Sequence, residues 1–173
     1  MPTYSVDSQL YRDRVHRNGR EVDHTFDPDE HLFRRYPKRY LVNGKPVPIT
    51  MQFEADSGIS VNRSRYSQPQ DVLEPDCCDG ESRPECVVLD IHCDEVPKEI
   101  TTKDGSGRVF RFRLAHKPKE LCFAHSEIWC NQQGDIRQAC EEPPKHVKDI
   151  FRVEIARQLA NREVLEFPKE IPR

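Results

Sequence analysis

Residues 86–116 constrain the fold more than any other part of the chain, because two runs within them alternate with a period of two. In "CVVLDIHCDEV", Val87, Leu89, Ile91 and Cys93 fall on one face, and Val88, Asp90, His92 and Asp94 fall on the other. That is the period of a pleated strand, on which successive side chains point to opposite sides. "EITTKDGSGRVFRFRLAH" reads as a hairpin that turns at Asp104-Gly105-Ser106-Gly107. On its return strand Phe110, Phe112, Leu114 and His116 face one way, and Val109, Arg111 and Arg113 the other. A sheet is therefore required, with residues 86–114 expected at its centre.

After Pro143-Pro144 the period changes. Val147, Ile150, Phe151, Ile155 and Leu159 recur at helical spacing, with Arg152, Arg157 and Arg162 largely outside that stripe. A helix with one apolar face has to cover one face of the sheet, which gives an α+β class: a small mixed or antiparallel sheet with a C-terminal helix packed on it. Asp27-Pro28 resembles a helix start, with Asp27 as N-cap, Asp29 and Glu30 suiting the N-terminal dipole, and Pro37 as the stop. Asn43-Gly44 is a turn signal that leads into "PVPITMQF". Pro46 and Pro48 lack amide donors, so that strand is expected at an edge or only after Pro48.

The chain has 173 residues, of which 35% are hydrophobic and 33% charged, with 14 prolines. That fits a single domain over 1–173 with a modest core, since a domain of this size buries roughly 70% of its unfolded surface. Residues 1–26 read as a polar N-terminal arm, 67–86 as a Pro/Cys-rich loop expected to be mobile, and 164–173 as a C-terminal tail. The net charge of −3 implies no particular partner, and residues 1–70 hold 11 Lys and Arg against 9 Asp and Glu. Binding to a nucleic-acid backbone is thus not favoured. No run approaches the ~20 apolar residues that span a bilayer, and positions 1–30 lack an apolar signal region, so no membrane association is expected. Seven cysteines, with Cys77 and Cys78 adjacent, do not resemble a secreted disulfide framework. The expectation is a reducing cytoplasm in which most thiols act as small hydrophobes. The vicinal pair reads either as redox-active or soft-metal-binding, or as exposed thiols in a loop.

The stretch "FRLAHKPKELCFAHSEIWC" gathers the reactive side chains. As a zinc site it offers Cys122, His125 and Cys130, with His92 and Cys93 as distant partners, but no second paired spacing accompanies them. If 121–129 is a strand, alternation puts His125 and Glu127 on one face and both cysteines on the other. No metal and no cofactor are therefore expected. As a catalytic site, His125 and Glu127 share a face, and His116 approaches them if 110–116 pairs with 121–129; two imidazoles and a carboxylate suit acid–base work. The alternative is a set of polar groups hydrogen-bonded at a sheet rim. Upstream, "LFRRYPKRYL" sets Arg34, Arg35, Lys38 and Arg39 beside Phe33, Tyr36 and Tyr40, which suits phosphate with aromatic stacking or else a solvated basic face. Arg63 and Arg65 add alternate-residue cations in "SVNRSRY". No phosphate-cradling glycine loop, nucleophile elbow or H-E-x-x-H is present.

The runs "HLFRRYP" and "MQFEADSGISVNRSRYSQPQDVL", with the later Ala124-His125, resemble a motif set of small bacterial proteins without an assigned activity: L-x-R-R, then S-V-x-R, then A-H. The resemblance covers roughly residues 31–73 and 114–128. It implies a compact bacterial cytoplasmic protein, an accessory in a multi-gene system such as a defence system, and it singles out Arg34, Arg35, Ser60, Arg63, His116 and His125. Three functions are open on the sequence. The first is a binding or accessory protein that recognises a protein partner or an anionic group through Arg34, Arg35 and Arg63, with Ser60 beside them. The second is an enzyme acting on a phosphate-containing or nucleotide substrate, with the arginines as anion clamp and His125, His116 and Glu127 moving protons. The third is a zinc-stabilised interaction domain.

Overall fold

A computed structural model of the chain describes residues 9–47, 51–53, 55–80 and 85–167. Six strands form one antiparallel sheet in the order β5-β1-β4-β8-β7-β6, from β1 (His31–Pro37), β4 (Ile59–Arg63), β5 (Cys86–His92), β6 (Glu99–Thr101), β7 (Val109–His116) and β8 (His125–Asn131). A two-residue pair, β2 (Leu41–Val42) and β3 (Lys45–Pro46), turns at Asn43-Gly44. Both turn residues have positive φ, 50° and 73°, the tight hairpin geometry that Asn-Gly favours. Helix α1 spans Gln9–Val15 and α2 spans Lys145–Leu159.

The helical stripe behaves as its period predicts. Val147, Phe151, Ile155 and Leu159 are buried in one cluster with Leu32, Val61, Val87, Leu89, Ile91, Phe110, Phe112 and Ile128. That cluster is the core face of the sheet. The β6–β7 hairpin forms as expected, with Ile100 opposite Phe110.

The second face is also covered, and this was not legible in the sequence. Far from being an open loop, residues 69–73 and 75–77 form two short 3-10 turns. Val72 packs there on Phe33 and Val88. The supposed polar arm contributes α1, whose Tyr11 and Val15 cluster with Cys77 and Cys122. Arg14 clamps Asp71 with two hydrogen bonds, 3.2 and 2.9 Å, and His16 meets Asp76 at 2.7 Å. Cys77 and Cys122 are joined in a disulfide; the other five cysteines are free, and four of those are buried. The expectation that most thiols act as small hydrophobes therefore holds, but not for half of the vicinal pair.

Three expectations fail for one reason: local signals lose to long-range pairing. The proposed helix after Asp27-Pro28 is absent. Asp27 instead accepts a turn bond from Glu30 N–H at 3.0 Å, and 31–37 is β1. Leu32 and Tyr36 enter the core while Phe33 enters the second layer, and seven residue pairs with β5 outweigh a favourable cap. Strand β5 is not central but is an edge strand of the sheet, where Leu165 of the expected tail makes a single bridge to Val88. Val87, Leu89 and Ile91 pack on the core face and Val88 in the second layer, while Asp90 and His92 on that second side keep partial access to solvent. Met51 and Phe53 are buried outside any strand; the stretch 48–50 of the expected strand, like 1–8, 81–84 and 168–173 of the expected arm, loop and tail, lies outside the described residues.

Candidate functional site

Strands β1 and β4 pair at only two positions, Leu32 with Arg63 and Phe33 with Asn62. Beyond them β1 continues along β5 as far as Pro37, while β4 runs along β8 to the Ile59–Ile128 pair. The two strands part, and the split opens a cavity of about 880 Å³ on the second face. That volume lies within the range of small-molecule sites. Arg34, Arg35, Ser60 and His125 all line it, together with Arg39, Tyr40, Gly58, Asn62, Cys77, Asp79 and Lys119. Four of the seven residues singled out from the sequence thus meet in one place.

The charges are unequally compensated. Lys119 donates to Asp79 at 2.8 Å, and that hydrogen bond holds the Asp79 carboxyl below its ordinary value, with Arg35 and His125 adding to the effect. Asp79 and Glu85 line the same cavity, but among the described residues neither Arg34 nor Arg35 forms an ion pair with a carboxylate. Arg34 donates from one terminal nitrogen to the Ser60 carbonyl at 2.7 Å, and its Nε is buried with no hydrogen-bond partner. Burial, with Arg35 beside it, brings its pKa down to about 10, so it stays charged at neutral pH. Arg35 donates to the Cys77 carbonyl at 2.8 Å and to Cys78 Sγ at 3.1 Å. Two neighbouring guanidiniums held by neutral acceptors in a concave site favour an anionic ligand.

His125 is 7% exposed. Its Nδ1 lies 2.7 Å from the Lys117 carbonyl; a carbonyl only accepts, so Nδ1 carries the hydrogen and Nε2 carries the lone pair. Burial and then Lys119 push its pKa below the ordinary value, leaving the ring neutral at pH 7. Beneath it, Asn62 Nδ2 donates to both sulfurs of the Cys77–Cys122 bridge at 3.4 Å.

The remaining three candidates are elsewhere or engaged. The β7–β8 hairpin forms, but β8 begins at His125 rather than at 121, and His116 pairs with Ser126. Paired residues share a face, so His116 points to the core side and His125 to the cavity side. His116 Nδ1 accepts the Asp23 N–H at 2.9 Å, and its Nε2 donates to the Phe123 carbonyl at 2.6 Å. Glu127 is on the cavity face but accepts the Gly58 N–H at 3.2 Å and faces Lys117 at 3.7 Å. Arg63 is completely buried on the core side, bound to Glu30 through Nε at 2.8 Å and Nη2 at 2.9 Å. The zinc set is also scattered: Cys122 is bridged, and Cys130 is buried in the core cluster. Sequence reading missed Asn62, Lys119 and Asp79, which carry no spacing signal and reach the cavity only through tertiary structure.

His116 makes the fold acid-sensitive. Burial first, and Arg63 among the nearby charges, hold its pKa below the usual value. A second ring hydrogen would also have to sit against the Asp23 N–H. The unfolded chain therefore takes up this proton first as pH falls, so stability is full above about pH 6.5 and declines below it. Urea denaturation at pH 7.5 and pH 5.5 is expected to show that loss, with a shallower slope in His116→Gln. His125, shifted in the same direction, accounts for the residual slope. An unchanged slope in the variant refutes the assignment.

No protein-family model matches the chain, and no curated protein or solved structure resembles it. No helix among the described residues is long and apolar enough to cross a membrane.

Proposed function

We propose that this protein is a binding module for a small phosphate- or carboxylate-bearing ligand, which it holds between Arg34 and Arg35 in the split between β1 and β4. The single observation that carries this reading is the pair of guanidiniums without carboxylate partners, one with an unsatisfied buried Nε, inside a cavity of small-molecule size. A ligand anion accepting from the terminal nitrogens of the two guanidiniums supplies the negative charge that neither arginine receives from a carboxylate. Tyr40 and the aliphatic wall of Ile59, Val61 and Val72 suit an apolar or planar portion of the same ligand. An accessory role in a bacterial multi-gene system fits such a module, and a partner protein presenting an acidic side chain supplies the same chemistry.

A binding role is favoured over catalysis because the expected proton-transfer set is divided between the two faces of the sheet. One observation favours chemistry in the same cavity: His125 is neutral and keeps a lone pair on Nε2. On that second reading it acts as a base on a ligand held by the arginines.

Isothermal titration with inorganic phosphate and with a nucleoside monophosphate tests the proposal. Saturable one-site binding is expected, weakened at least about tenfold by Arg34→Gln, since a hydrogen bond to a charged group contributes roughly 1.5–3 kcal/mol. Arg111→Gln, a surface arginine outside the cavity, leaves it unchanged. Absence of saturable binding of either probe, or equal affinity in Arg34→Gln, removes the reading. Turnover of a nitrophenyl phosphate that disappears in His125→Ala converts it into the catalytic one.

A further inference from the structure

A second polar cluster lies on the same sheet face, at the opposite end of β1. His31 opens β1 and His92 closes β5, and the antiparallel register sets them directly opposite each other. Their rings are 4.2 Å apart between centroids. Asp90, two residues back on β5, projects to the same side and meets His31 Nδ1 at 2.7 and 2.9 Å through its two oxygens. One donor atom from each of the three residues lies within 4.8 Å of the others, and all three side chains keep partial access to solvent.

We propose that His31, Asp90 and His92 form a binding site for a divalent first-row transition ion of the zinc class, with at least one coordination position left to water. Two imidazoles and one carboxylate are a donor set that suits zinc, iron(II), cobalt(II) and nickel(II) better than magnesium or calcium, which prefer all-oxygen shells. Three protein ligands at a half-exposed rim leave room for a water or an exogenous ligand, as in sites that are not purely structural. The backbone already fixes the spacing, because a cross-strand pair and its diagonal neighbour are held by the ladder rather than by a loop.

Two hydrogen bonds oppose the ion and are exchanged for coordination: His31 to Asp90, and the Glu95 backbone N–H to the His92 ring. Both lie on a partly solvated rim, where such bonds contribute little net. The charge of Arg162, beside the cluster, is taken up by the Glu95 carboxylate; its other contact is to the Asp90 carbonyl, not to the Asp90 side chain. The cluster is independent of the arginine cavity, from which Phe33, Val72 and Val88 separate it.

Titration of the purified full chain with cobalt(II), and separately with zinc(II), tests the site. One equivalent per chain is expected, with cobalt giving the visible absorption of a nitrogen- and oxygen-ligated ion. His92→Ala and the near-isosteric Asp90→Asn are each expected to weaken binding by at least about tenfold, with thermal midpoints confirming that both variants fold. His24→Ala, an exposed histidine elsewhere, is expected to bind as the parent does. Absence of saturable binding overturns the proposal. So does one-equivalent binding that survives both ligand variants, or a cobalt-thiolate absorption band that places the ion on the free cysteines.

Discussion

Arg63→Met is expected to destabilise the fold by about 3–5 kcal/mol, the usual cost of removing one member of a buried ion pair. Arg63 is fully buried, and the Glu30 side chain beside it is 4% exposed. The guanidinium also donates to the Asp23 carbonyl at 2.6 Å and to the Thr25 carbonyl, and it stacks 3.9 Å from the Phe26 ring centroid. Its removal leaves a buried carboxylate and two part-buried carbonyls without their donor. Methionine fills the space and supplies no hydrogen. Chemical denaturation measures the loss. Glu30→Gln added to Arg63→Met is expected to recover much of it, because the uncompensated charge is then gone; the double-mutant cycle isolates that coupling. A loss under about 1 kcal/mol would mean that water reaches the pair. The position explains why this arginine is not a ligand clamp: it fastens the polar segment 23–30, which has few apolar contacts, across the end of the core.

Replacing both Cys77 and Cys122 with alanine is expected to cost about 2–4 kcal/mol. The bridge closes a loop across a sequence separation of 45 residues, long enough for a substantial constraint on the unfolded chain. It ties the second-face turns at 75–77 to the β7–β8 connection and lies directly below the arginine cavity. Thiol titration of the unfolded, unreduced protein is expected to find five reactive cysteines, rising to all seven after reduction. Seven without reductant would show that the bridge does not form in solution. The result also bears on the compartment, since such bridges persist in oxidising surroundings, whereas the cysteine pattern alone argues for a reducing one.

What was readable in the sequence was local. The β6–β7 hairpin follows from two apolar runs around a Gly-rich turn, and α2 follows from five apolar residues at one helical spacing; both depend on neighbours within a few residues. The short helix expected at 27–37 failed although its capping chemistry is sound, because that chemistry contributes about 1 kcal/mol. The β1–β5 ladder buries Leu32, Phe33, Tyr36, Val87, Val88 and Leu89 together. The parity of His116 and His125 was inferred by running one strand from 121. It reversed because the chain between them turns at 121–124 and β8 begins at 125. A one-residue change of register exchanges the faces of a strand, so two histidines on paired strands are on the same side or on opposite sides according to the connecting turn.

By itself, then, the sequence determined that this chain builds an antiparallel sheet covered by an amphipathic C-terminal helix, and that basic residues collect in "HLFRRYP". Tertiary structure alone decided which of those residues act together. Arg34, Arg35, Ser60 and His125 line one cavity because β1 and β4 separate after two pairs, while Arg63, one pair away from the split, is consumed by Glu30. The β1–β4, β1–β5 and β4–β8 pairings join residues about 30 or more positions apart, and their register is set by the summed burial of both faces. No local pattern carries that sum.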